Sequence, residues 1–186
     1  MKFTIFLIKT KEFLIKRLTE LLAFAIIVFS CALMTALVSY SPDDPNFIID
    51  QNIEVQNVLG FRGSIISDFL YQSVGLIALL IPITLFFSGF YIFVNKKLIY
   101  IIDNLFFCLI YIIGGSIFFS FFKNESFFLT VNGNGGFIGL FFINTSLSKV
   151  LTINLVASYY FLIFFTLYFF LISINFKFSK NLTYVK

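Results

Sequence analysis

Asp103 falls inside a long apolar run, and a carboxylate there is the residue of this chain best placed to do chemistry. An ionisable group in hydrocarbon is costly, and it is retained where it relays protons, meets an ion or pairs with a countercharge. Asp103 lies near the start of its run, close to Lys96 and Lys97, so an interfacial role beside those lysines and a helix N-terminus is expected. Glu20 stands at the edge of the first apolar run, where solvation is expected. The chain has no histidine, which removes the commonest metal ligand and the commonest general base. Cys31 and Cys108 both fall in apolar runs and read as packing residues. The run Gly133-Asn134-Gly135-Gly136-Phe137-Ile138-Gly139 is glycine-rich, but a phosphate-binding loop needs Lys and then Ser or Thr after its last glycine. No Gly-Lys dipeptide occurs, so this segment reads as a flexible turn before a short apolar helix over 137–147. The sequence therefore predicts no catalytic residue, no metal ligand set and no cofactor.

The elements that must position these residues are membrane helices. The chain of 186 residues is 60% hydrophobic and 12% charged, whereas soluble domains carry about a quarter charged residues. Its mean hydropathy is +1.00. Four apolar runs, 21–40, 74–94, 98–122 and 153–174, each have the ~20 residues needed to cross hydrocarbon at ~1.5 Å per residue. The expected class is thus all-α integral membrane, with four transmembrane helices and short interfacial helices in the outer loops. A basic leader (1–20) precedes the four-span domain (21–176), and a short tail (177–186) follows. Ten of the 13 basic residues lie in the leader, the 96–97 turn and the tail. That bias predicts both termini on the cytoplasmic side. It also explains the net charge of +4 without any direct contact to nucleic acid. The leader reads either as an amphipathic helix on the inner leaflet or as a solvated segment. Pro82 could kink the second span.

The first span stops at Ser39-Tyr40-Ser41-Pro42-Asp43-Asp44-Pro45. Two prolines and two acids cannot extend a helix through lipid. The two acids read together as holding this loop outside the membrane. After it, Phe61, Ile65, Ile66, Phe69 and Leu70 recur at helical spacing, with Arg62, Ser64, Ser67, Asp68 and Gln72 opposite. That pattern predicts a short helix flat on the outer interface, read either as an anchor or as a docking surface. Small residues at 32 and 36, at 114 and 115, and at 116 and 120 mark close helix contacts.

The order of these features resembles a known family. A basic leader and a first span are followed by Ser39 to Pro45, and then by Asn57-Val58-Leu59-Gly60. A helix carrying Asp68 runs through Gly75 into a proline-containing span, and a basic turn, a third span, a Gly-rich loop and a fourth span follow. This is similar to the N-terminal four-span domain of the FtsK/SpoIIIE DNA translocases. The resemblance implies an anchor at the division septum that contacts divisome membrane proteins and links division to chromosome segregation. It also implies a homo-oligomer, hexameric in the family, and an ATP-driven motor on the cytoplasmic side. No Walker motif occurs in these 186 residues, so the expected chain is a non-enzymatic anchor, with a motor encoded separately or lost by truncation. The alternative expectation is a small four-span transporter or channel subunit, which would need polar residues along a continuous path.

Overall fold

In hydrocarbon the backbone can satisfy its own polar groups only as helix or closed barrel, and long unbroken apolar runs select the helix. The computed structural model describes residues 2–45, 54–125, 129 and 131–176, and every regular element among them is helical. The elements are α1 (Lys2–Val38), α2 (Gly60–Val74), a 3₁₀ segment (Gly75–Leu79), α3 (Leu80–Asn95), α4 (Ile99–Phe122), α5 (Gly136–Ile143), α6 (Leu147–Ile153) and α7 (Leu155–Ser173). Four stretches are long and apolar enough to span a membrane: Lys9–Val38, Gly60–Asn95, Ile99–Phe122 and Leu155–Ser173.

The spans stand in a row. α1 packs on α3, α3 on α4, and α4 on α7. α4 is the most covered of the four and α7 the least. One end of the row carries the start of α1, the 96–98 turn and the end of α7. The other carries the long loops, with α2 and α5 packed against each other. These are called the terminal face and the loop face below.

Several local expectations change. Residues 2–20 form no separate interfacial helix, because α1 runs unbroken from Lys2 to Val38. Pro82 falls in the first turn of α3, directly after the 3₁₀ segment. The carbonyl its missing N–H would have met, at Ala78, lies in the 3₁₀ segment, so the change from 3₁₀ to α backbone falls where the proline interrupts the bonding pattern. The helix expected over 137–147 is divided, with α5 ending at Ile143 and α6 starting at Leu147. Phe118 and Phe122 close on Tyr159 (5.3 and 5.2 Å between ring centres), and Phe107 stacks on Phe169 (6.1 Å), so aromatic rings build the α4–α7 seam.

The loop face is tied together by a crossing of two backbones. Gly75 takes φ 75°, ψ −154°, a conformation essentially closed to residues with a Cβ, and this turns the chain from α2 into the 3₁₀ segment. Gly136 opens α5 at φ 63°. The two glycines lie against each other's segments, and a Cβ on Gly75 would land on the Asn134 carbonyl. The Leu76 N–H donates to that carbonyl (2.8 Å), and the Ser116 hydroxyl donates to the Val74 carbonyl (2.8 Å). The small residues of α4 serve this contact: Ser116 and Ser120 face Gly135 and Gly139.

Gly75→Ala should therefore combine backbone strain of ~1–3 kcal/mol with a clash against fixed backbone. Gly60 also has a positive φ, 66°, but a Cβ there would meet nothing within 4 Å. Thermal unfolding in detergent is expected to show Gly75→Ala clearly less stable than Gly60→Ala. Equal losses would contradict the crossing.

Candidate functional site

The last four carbonyls of a helix have no partner within it. α1 ends at Val38, where two of its four end carbonyls are met by side chains from elsewhere and a third by the residue that follows the helix. The Ser39 hydroxyl donates to Thr35 (2.7 Å), the Asn57 side-chain amide to Ala36 (2.8 Å) and the Tyr71 hydroxyl to Leu37 (3.0 Å). Asn57 is 3% exposed and is itself held by Asp44. The Asp44 carboxylate accepts the backbone N–H groups of Gln56 (2.7 Å) and Asn57 (3.0 Å). The Ser39 hydroxyl accepts the Val58 N–H (3.1 Å), and the Asn57 side-chain oxygen accepts that of Leu59 (3.1 Å). Gly60 then starts α2, and the Ser64 hydroxyl donates to the Pro45 carbonyl (2.8 Å). The result is a knot of polar contacts that locks α1, its exit loop and α2 together.

The family-pattern residues are thus brought together unevenly. Ser39, Tyr40, Asp44, Pro45, Gly60 and Asp68 all join the knot or its rim. Ser41 is half-buried beside it, and Pro42, Asp43 and Leu59 are exposed. The two acids, expected to act together, are divided: Asp44 is 4% exposed and structural, while Asp43 faces outward. The Tyr40 hydroxyl donates to Asp68 (3.2 Å), and its ring packs on Tyr71 at 4.9 Å. Burial first, then the Asp68 charge, holds the Tyr40 phenol above its ordinary range, so it remains a donor. The knot extends to the second loop, where the Asn132 side chain donates to the Gln72 carbonyl (3.1 Å). An open apolar groove of about 340 Å³ adjoins it, lined by Leu37, Val38, Tyr40, Tyr71, Leu76, Leu79 and Leu129. This is an arrangement for presenting a fixed surface. Among the described residues no three His, Cys, Asp or Glu side chains are grouped to hold a metal ion.

On the terminal face the expected Asp103 pairing is replaced. Lys96 reaches Glu20 on α1 (2.8 Å), and Arg17 reaches the other oxygen of the same carboxylate (2.6 Å). Glu20 is therefore a clamp between α1 and the α3–α4 turn, where a solvated residue was expected. Asp103 is exposed and has no ion-pair partner among the described residues.

The buried polar residue is its neighbour, Asn104. It donates to the Ser88 hydroxyl (2.8 Å) and accepts from the Asn175 side chain (3.0 Å). One turn away, the Thr84 hydroxyl meets both Tyr111 and Ser173 (3.0 Å each), and Cys108 donates to Tyr111 (3.2 Å). These groups join α3, α4 and the end of α7, and most of their bonds run to one another. Sequence reasoning missed this network. The available signal was spacing: 84 and 88, and 104, 108 and 111, are helical stripes of polar or soft residues in otherwise apolar runs.

Comparison with known proteins places this geometry. Residues 15–184 match the family described as the 4TM region of DNA translocase FtsK/SpoIIIE. The chain belongs to this family. The DNA translocase FtsK of Rickettsia bellii is 42% identical over 62 residues, 33% of this chain and 8% of that protein. The FtsK of Rickettsia typhi is 39% identical over 67 residues, 36% of this chain and 9% of the relative. That of Azospirillum brasilense is 31% identical over 90 residues, 47% of this chain and 14% of the relative. The matched stretches thus span only a small part of these much longer relatives. No solved structure matches. The chain is an FtsK-type membrane domain, multi-pass in the inner membrane, and the knot at its first exit is built from the same run that carried the resemblance.

Two contrasts test the FtsK-type site. Asp44→Ala leaves the buried Asn57 N–H and the part-buried Gln56 N–H without their carboxylate and is expected to cost ~1–3 kcal/mol. Asp43→Ala, at an exposed position, is expected to stay within ~0.5 kcal/mol of the parent. Both are read from denaturation in detergent, and similar losses would refute the division of roles. Within the membrane, Asn104→Leu is expected to lower stability by ~0.6–1.7 kcal/mol. Asp103→Asn should leave it unchanged, and the reverse order would remove the network from the account.

Proposed function

We propose that this chain is the membrane anchor of an FtsK-type DNA translocase, held at the division septum by contacts with other division proteins. Family membership across residues 15–184 is the observation that carries this reading. The terminal face, with its basic residues, lies in the cytoplasm, and the loop face lies outside. Partner contacts fall to the loop face, where the knot holds Pro42, Asp43, Val58 and Leu59 outward on a fixed frame. DNA pumping belongs to an ATP-driven motor on the cytoplasmic side, and a homo-oligomer of the anchor, hexameric as in the family, sets the motor's symmetry. The network at Asn104 and Asn175 gives such a motor a firm point of attachment, because it fixes the end of α7 to α4. The same network argues against a conducting path, since its polar groups are buried and bonded to one another.

A green fluorescent protein fused after Lys186 tests location and orientation together, because that fluorophore forms in the cytoplasm and not after export through the general secretory channel. Fluorescence gathered at midcell in dividing cells is expected. Even fluorescence around the envelope would overturn the septal reading. Full-length but dark fusion protein would overturn the cytoplasmic C-terminus.

A further inference from the structure

α2 has its polarity reversed relative to a helix on a water-soluble protein. At about 100° per residue, Gly63, Ser64, Ser67, Tyr71 and Val74 share one face, and all five are buried against the protein. The opposite face carries Phe61, Ile66 and Phe69, which are 51%, 42% and 64% exposed, together with exposed Arg62, which lies with them and not with the serines as the sequence pattern suggested. Small and hydroxylated residues turn inward, and aromatic and branched residues turn outward. Its depth is set by the knot. Asp68 meets Tyr40 and Tyr71 meets Leu37, so the middle of α2 lies level with the last turn of α1. Val38 in that turn is 71% exposed and ends the outward apolar surface of the first span. The outer face of α2 thus continues a surface that already faces lipid.

We propose that α2 is an interfacial anchor that lays Phe61, Ile66 and Phe69 into the boundary between acyl chains and headgroups of the leaflet at the loop face, with Arg62 against lipid phosphate. The chemistry of each group fits that layer. Aromatic and branched side chains gain by leaving water, while the Arg stem can lie along apolar surface with its guanidinium at phosphate level. A lipid boundary also accounts for the inward hydroxyls, because Ser64 meets the Pro45 carbonyl and Ser67 accepts from the Asn57 side chain inside the knot, partners that hydrocarbon would not supply. The inference is independent of septal location.

The test uses a natural feature of the sequence: the chain contains no tryptophan. Phe69→Trp is reconstituted as the full chain in phosphatidylcholine vesicles brominated at a shallow or a deep acyl position. Val28→Trp, at a residue 51% exposed in the middle of the first span, serves as the internal standard. Phe69→Trp is expected to be quenched strongly by shallow bromines and less by deep ones, with the opposite order for Val28→Trp. If Phe69→Trp is unquenched at both depths while Val28→Trp is quenched, the protein has inserted but α2 stands clear of the bilayer. That result would overturn the proposal and leave the apolar face to a protein partner. Adding Arg62→Glu to Phe69→Trp is expected to halve the shallow quenching or more. Unchanged quenching would overturn the phosphate contact.

Discussion

The unpaired carbonyls at the end of α1 are the constraint on which the loop face depends. A helix leaving hydrocarbon cannot leave these acceptors bare unless water reaches them. Here the donors come from Asn57 and Tyr71, which are 21 and 34 residues away in sequence from the carbonyls they meet. Supplying them forces the exit loop to fold back and α2 to settle at the level of α1's last turn. Asp44 is buried for the same reason, since its carboxylate orders the backbone that presents Asn57. Once α2 is placed, the turn at Gly75 and the crossing with Gly136 fix where the next span begins and where the second loop lies.

Within the spans a different rule applies. Lipid tails are as apolar as the helices, so burial does little to bring helices together, and close packing and hydrogen bonds carry the association. The loop half of the row uses close packing, at Gly75, Gly136 and the serines of α4. The terminal half adds hydrogen bonds, through Thr84, Ser88, Asn104, Tyr111 and Ser173, and the Glu20 clamp at the surface, to the close approach of Gly89 to Ala23 of α1. α4 takes part in both halves, which is why it is the most covered span. α7 is held chiefly through α4 and leaves most of its surface to lipid. For a domain of the FtsK/SpoIIIE family, this gives two firm ends to one row of helices: a fixed frame at the knot on the loop face, and a fixed end of α7 beside Asn175 on the terminal face.

Much of this architecture was legible in the residues. Four apolar runs specify four spans because the need to pair backbone groups in lipid is local and compositional. The stop at Pro42 and Pro45 is equally local, and Ser39 to Pro45 with Asn57 to Gly60 carried the family. The site was legible in part. The right segments stood out, but Asp43 and Asp44 looked equivalent, Asp103 drew attention that belongs to Asn104, and Glu20 was expected to be solvated.

Those misses share a cause. Whether a polar residue is solvated, capping or buried depends on which groups other helices bring to it, and neighbouring positions on one helix point about 100° apart. Asp103 and Asn104 differ by that single step. The sequence by itself determined the membrane class, the number of spans and the place where the first one ends, because each follows from local polarity. Only the tertiary structure decided that α1 is continuous from Lys2, that Asp44 is buried while Asp43 is exposed, and that α2 turns its serines inward and its phenylalanines outward. These outcomes required donors and acceptors distant in sequence to meet in one register.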